Sequence, residues 1–145
     1  RPPRSTLFPY TTLFRSHFEK KVDESLLGVH IPSMLLQPIV ENSVNYGIRN
    51  IDWEGRIVLS VYREEEKVCI SIKDNGVGMT EERIAQVMQN CISHQEDTGD
   101  SNGVGLNNVM ERLHLFFDGA EEFVMMSEGP GRGTEVVIRI PYLKM

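Results

Sequence analysis

The sequence predicts an α+β fold: a two-layer sandwich with about three helices on one face of a mixed, mainly antiparallel sheet. Two observations carry that expectation. Hydrophobic periods run strand, helix, strand, strand, helix, helix, strand, strand, without the regular βαβ alternation of a doubly wound sheet. The later strands come in pairs joined by short charged or glycine-rich connections, as antiparallel neighbours are. A chain of 145 residues has the length of one domain and can bury about two-thirds of its unfolded surface, enough for a single core.

The elements follow in order. Residues 1–16 read RPPRSTLFPYTTLFRS, with three prolines and no period of 2 or 3.6. Thr6 to Ser16 resembles the in-frame translation of a sequencing-library adapter, so the native domain is expected over 17–145 and the first sixteen residues as a non-native or disordered tail. Pro9, Thr11 and Thr12 interrupt the apolar run that a signal peptide would need. His17 to Asp23 alternates weakly, as an edge strand does. Gly28 and Pro32 mark a loop, and Pro32 suits the approach to a helix from Ser33 to about Arg49. Leu36, Ile39, Val40, Ser43, Val44 and Gly47 share one side of that helix. Arg56–Tyr62 and Lys67–Asp74 alternate at period 2, with the charged REEEK between them as a hairpin connection. Thr80 is a helix cap, followed by Glu81 and Glu82 where carboxylates suit the helix dipole. That helix buries Ile84, Val87 and Met88 and is expected to fade near Asn90. Cys91 to Asn102 is polar and reads as a mobile loop. A third helix begins near Gly103, with Leu106, Val109, Met110, Leu113, Phe116 and Phe117 on one stripe. Glu122–Ser127 and Gly133–Ile140 close the chain as strands around the turn-rich EGPGRG.

Composition narrows the function classes. Hydrophobic residues make up 40% and charged residues 25%, with 12 Gly and 7 Pro, which excludes collagen-like and low-complexity chains. Fifteen basic residues against 21 acidic ones leave a formal charge of −6, which argues against nucleic acid as the main partner. Cys69 and Cys91 form no CxxC pair and suit a reducing compartment. No apolar run approaches the roughly 18 residues of a membrane span, so no direct membrane contact is expected. His17, His30, His94 and His114 lack metal-ligand spacing. Trp53 is expected to fill a gap beside the first helix, Met125 and Met126 to be core and edge, and Cys69 to be a small buried hydrophobe.

Three segments carry chemistry. On the first helix, Glu41, Asn42, Asn45 and Arg49 fall on one stripe at 100° per residue. Oxygen donors beside a guanidinium suit a magnesium–phosphate group, although such a stripe by itself also describes a solvated face. In DNGVGM, Asp74 ends a strand as an acceptor-only carboxylate able to receive a hydrogen bond from an exocyclic amine. Gly76 and Gly78 permit a sharp turn and close approach of a flat ligand. An Asn-Gly after a strand is often only a turn, but Val77 and Met79 are apolar and suit the wall of a purine pocket. In NGVGLNNVMERL, Gly103 and Gly105 stand where loop becomes helix, leaving backbone N–H groups free to hold phosphate oxygens.

LQPIVENSVNYGI, DNGVGM, GVGLNNVMERL and GRGTEVVIRIP stand in the order and spacing of the four ATP-site motifs of the GHKL superfamily, which joins gyrase, a heat-shock chaperone, histidine kinases and MutL. The Gln-Pro and Glu-Asn of the first motif and the Asn-x-x-x-Arg-Leu of the third most resemble LytS/YesM-type sensor histidine kinases. The resemblance runs from about Phe18 to Pro141. It implies a Bergerat-type fold, with ATP and Mg2+ as cofactors and Asn42 as the magnesium ligand beside Glu41. By the same resemblance Asn45 contacts phosphate or ribose, and Asp74 binds the adenine amine with Thr134 helping through a water. Gly76 and Gly78 would shape the base pocket, while Gly103, Val104, Gly105 and Leu106 would cradle phosphates. The implied activity is a protein histidine kinase with a separate histidine-bearing dimerisation domain and a response regulator as partners. The parent is expected to be a homodimer whose ATP-binding part is cytoplasmic. ATP-hydrolysing branches carry a carboxylate four residues before the magnesium Asn, where this chain has Pro38, and that favours a kinase over an ATPase. A non-catalytic nucleotide-binding module and an anti-sigma-factor-type serine kinase are the alternatives. None of the four histidines lies in the proline-His-Phe context of the phosphoacceptor, so this chain alone is not expected to phosphorylate itself.

Overall fold

The computed structural model describes residues 16–29, 31, 35–49, 51–93 and 102–142. Five strands form one sheet in the order β1-β2-β3-β5-β4. They are β1 (Ser16–Val22), β2 (Gly55–Glu64), β3 (Lys67–Asp74), β4 (Glu122–Met126) and β5 (Thr134–Pro141). The weakly alternating β1 lies at an edge and runs parallel to β2, with Ser16 opposite Gly55 and Val22 opposite Val61. All other pairings are antiparallel, so the sheet is mixed and mainly antiparallel, as expected. The β2–β3 hairpin turns through Glu65, whose φ of 56° is in the left-handed region.

Period-2 alternation sends Ile57, Leu59 and Val61 of β2 to the same side as Ile70 and Ile72 of β3 and Val136 and Ile138 of β5. Three helices cover that side: α1 (Leu36–Asn42), α2 (Glu81–Ser93) and α3 (Asn102–Phe117). Ile39 and Val40 of α1, Val87 of α2, and Leu106, Val109 and Leu113 of α3 meet the sheet in one core. Burying an aliphatic side chain of this kind contributes about 1.5–3 kcal/mol. β3 is flanked on both edges, so even its outward Cys69 and Ser71 are buried. Ser71 Oγ donates to Glu135 at 2.5 Å, which meets the hydrogen-bonding need that burial imposes. Burial pushes the Cys69 thiol pKa up, with Glu64 beside it adding to the shift. Met125 is buried and Met126 exposed, as core and edge.

Five local expectations are corrected. The first helix is α-helical only to Asn42 and continues as a π-helix over Ser43–Ile48; residues 32–34 lie outside the described residues. The second helix does not fade at Asn90 but runs to Ser93, and Asn102 opens the third helix rather than ending a loop. The remainder of the expected loop, 94–101, is outside the described residues. Phe116 is more than half exposed although it stands on the same stripe as Val109 and Leu113, in the last turn of α3. Trp53 plugs no gap: it is 44% exposed, and its indole N–H donates to the Asn75 carbonyl at 2.7 Å.

Candidate nucleotide-binding site

The end of β3, the start of β5, β4, the π-helix and the middle of α2 border a cavity lined by Asn42, Ser43, Tyr46, Gly47, Asp74, Gly78, Met79, Val87, Met125, Thr134 and Val136. Asp74 and Thr134 are directly opposite each other in the β3–β5 ladder. Asp74 is 4% exposed. Its Oδ1 accepts the Gly76 N–H at 2.9 Å, and the Ser43 hydroxyl and Thr134 N–H also donate to this carboxylate. Burial raises the Asp74 pKa, and these three donors pull against the rise. The result is a carboxylate sunk in an apolar wall, held by protein donors and open toward the cavity.

The turn after Asp74 is fitted to the helix across from it. Val77 N–H donates to the Gly47 carbonyl at 2.9 Å, bringing the two backbones into contact. A Cβ on Gly76 would lie 2.2 Å from the Gly47 oxygen, and a Cβ on Gly47 would lie 2.9 Å from Asp74 Oδ1. Gly76 therefore requires glycine, whereas a side chain at Gly47 must displace the Asp74 carboxylate. Gly78 has φ +71°, and a Cβ there would meet the Gly129 oxygen at 2.2 Å. The β4–β5 turn closes the wall, with Met79 N–H donating to Ser127 Oγ and Ser127 Oγ to the Gly133 carbonyl.

Asn42, Asp74, Gly78 and Thr134 thus meet at one cavity, with Gly76 directly behind Asp74. Glu41 and Asn45 do not line it. Both are exposed, and Glu41 accepts a hydrogen bond from Gln37 Nε2 at 3.0 Å. Arg49 is exposed and off the lining as well. The π-helix is the reason: i→i+5 closure advances each residue by less than an α-helix does. Asn45 and Arg49 therefore rotate away from Asn42, and Ser43, Tyr46 and Gly47 take the cavity face. Period 3.6 places Ser43 and Gly47 on one side with Ile39 and Val44, where both are buried, but no sequence signal marks the π-helix that turns them to the cavity. Met79 lines the cavity as expected of a purine wall; Val77 is 42% exposed and does not. Gly103 to Leu106 form the first turn of α3, and Leu106 is buried, so only its backbone can meet a ligand.

A magnesium ion fits this donor set only together with phosphate oxygens. Asn42 offers one amide oxygen at the cavity, and among the described residues no group of three His, Cys, Asp or Glu side chains is arranged to hold a metal. Mg2+ commonly keeps several waters and binds through few protein ligands plus substrate phosphates.

The sequence profile described as histidine kinase-, DNA gyrase B- and HSP90-like ATPase matches residues 32–144. The chain belongs to this ATP-binding family. Within it, the chain is similar to the sensor protein LytS of Oceanobacillus iheyensis, 30% identical over 121 residues, 83% of this chain and 20% of that protein. It is 32% identical to the sensor histidine kinase YesM of Bacillus subtilis over 138 residues, 91% of this chain and 22% of that one. The chain therefore spans about a fifth of the length of these curated relatives. The fold matches the nucleotide-free catalytic domain of histidine kinase ThkA with a TM-score of 0.64 at 15% identity, covering 90% of this chain and 82% of that one. It also matches the mycobacterial sensor histidine kinase MprB at 0.58 and 18% identity, covering 93% and 89%. These likenesses bear out the Bergerat-type α+β sandwich.

Proposed function

We propose that this chain is the ATP- and magnesium-binding catalytic domain of a two-component sensor histidine kinase, comprising residues 17–145. It presents the γ-phosphate to a histidine on a separate dimerisation segment of a longer, homodimeric parent. The buried Asp74 carboxylate carries the reading: it is held by Gly76, Ser43 and Thr134 and opens into a cavity shared with Asn42. An acceptor-only group there recognises the amine edge of adenine. Asn42 would hold magnesium, which neutralises phosphate charge when bound, and the N–H groups of the first α3 turn would receive phosphate oxygens. Phosphoryl transfer asks a protein mainly for positioning and charge neutralisation, so a site of glycines, amides and one carboxylate suffices. Pro38 stands where the hydrolysing branches have a carboxylate, and Glu41 is hydrogen-bonded to Gln37 away from the cavity. Neither is set to activate water over a phosphate. Glu41 would act from the exposed face of α1, beside Asn42. Asn45, being exposed, would reach phosphate or ribose only from the rim. In the parent the domain would work on the cytoplasmic side and pass phosphate on to a response regulator.

Incubation with γ-labelled ATP and magnesium tests the reading. The chain alone is expected to acquire no acid-labile, base-stable label, and an added histidine-bearing helical segment of a related kinase is expected to acquire it. Label mapped to a histidine of this chain, or steady phosphate release without transfer, would overturn it.

A further inference from the structure

Asn75, the residue after Asp74, spends every polar group it has on one short segment. Its side-chain amide donates to the Glu54 carbonyl at 2.9 Å, and its Oδ1 accepts the Arg56 N–H at 2.7 Å. Its backbone N–H donates to the Arg56 carbonyl at 3.1 Å, and its carbonyl accepts the Trp53 indole N–H at 2.7 Å. A residue needed only to turn the chain would not require four bonds to residues 53–56. The same segment holds the edge strand: Glu54 pairs with His17, and Arg56 Nη2 with Glu19 at 2.6 Å. On the other side of Asn75, Gly76 N–H binds Asp74 Oδ1 and Val77 N–H binds Gly47. Asn75 therefore extends the tie between β3 and the start of β2, where Asp74 pairs with Ile57, past Asp74 into the turn and, through residues 54 and 56, to β1.

We infer that Asn75 is a positioning residue for base recognition, with the Trp53 indole as its lock. Together they set the depth at which the Asp74 carboxylate meets the base. This role rests on the reading of Asp74 as the base-recognition residue. Asn75 does not line the cavity, so its effect reaches the ligand only through Asp74. The selectivity it supports is for a purine bearing an amine at the edge Asp74 faces. A purine with a carbonyl there would set oxygen against carboxylate. Trp53 is the chain's single tryptophan. Its emission reports on this lock, because the indole N–H is bonded one residue from Asp74.

The test compares magnesium-ATP with magnesium-inosine triphosphate, which carries a carbonyl in place of the adenine amine. Calorimetric affinities for both nucleotides are measured on the parent chain and on Asp74→Asn, Asn75→Ala and Trp53→Phe. Asn75→Ala is expected to weaken ATP roughly tenfold, the worth of one or two neutral hydrogen bonds, while inosine triphosphate changes less than about twofold. Trp53→Phe keeps the ring and removes one donor, so the ATP preference should fall roughly two- to threefold; it serves if Asn75→Ala fails to fold. Nucleotide should shift the Trp53 emission of the parent; Asn75→Ala keeps the backbone carbonyl that accepts the indole N–H, so its effect is read in the two affinities rather than in the emission. A purely structural role would weaken both nucleotides equally and keep the ratio. If Asp74→Asn collapses the ratio while Asn75→Ala and Trp53→Phe leave it intact, the positioning role is overturned and the base reading stands. If Asp74→Asn leaves the ratio unchanged, the base reading fails and takes the inference with it.

Discussion

Replacing Gly47 by alanine separates nucleotide recognition from fold stability. The new Cβ would lie 2.9 Å from Asp74 Oδ1, 3.0 Å from its Cγ and 3.1 Å from Oδ2. Restoring ordinary contact requires the carboxylate to move by roughly half an ångström. Protein donors hold its back, so the only open direction is into the cavity. In the free protein that displacement lets water reach a charge whose burial is unfavourable. Alanine also improves helical propensity by about 1 kcal/mol over glycine. These gains oppose a crowding cost of about 1–3 kcal/mol, so stability should change by only about 1 kcal/mol, or roughly 2–4 °C in Tm at this size. The nucleotide loses far more. A displaced oxygen no longer meets the base amine, and losing a charged hydrogen bond costs about 1.5–3 kcal/mol, roughly 10- to 150-fold in Kd. Calorimetric titration with magnesium-ATP and a thermal melt of the same sample read both quantities. An ATP affinity within threefold of the parent would refute the reasoning. So would a Tm drop above about 10 °C, since the backbone rather than the carboxylate would then have yielded.

Three further outcomes are expected. The raised Asp74 pKa means that the folded chain holds this proton more tightly than the unfolded one. Its contribution to stability is therefore full below the ordinary carboxylate range and is lost as pH rises through the raised value. Urea unfolding of the parent minus that of Asp74→Asn should decline with pH across that window, and a flat difference would contradict the burial argument. Gly133→Ala forces φ +75° on a side chain whose Cβ would lie 2.0 Å from the Asp74 carbonyl oxygen. It should cost more than about 2 kcal/mol, seen as a Tm lowered by several degrees. Asn42→Ala should abolish the tightening of ATP binding by magnesium while leaving metal-free binding within a few-fold; retained magnesium dependence would place the ion elsewhere.

The strands were legible because period-2 alternation and turn chemistry are local properties. KVCISIKD and TEVVIRIP carry their own faces, and the ordered glycine motifs marked Asp74, Gly76 and Gly78 before any contact was known. The mixed sheet order was not local: nothing in HFEKKVD says that β1 runs parallel to β2 rather than antiparallel. The first helix divides the two kinds of information most sharply. Its sequence determined that an amphipathic helix carries Asn42 toward the site. Tertiary packing decided that the helix widens after Asn42, because Gly47 and Gly76 must touch for the Val77 N–H to reach the Gly47 carbonyl. That choice turned Ser43, Tyr46 and Gly47 to the cavity and Asn45 and Arg49 to solvent. It could not be read from spacing, since the energy favouring it comes from a loop some thirty residues away in the chain.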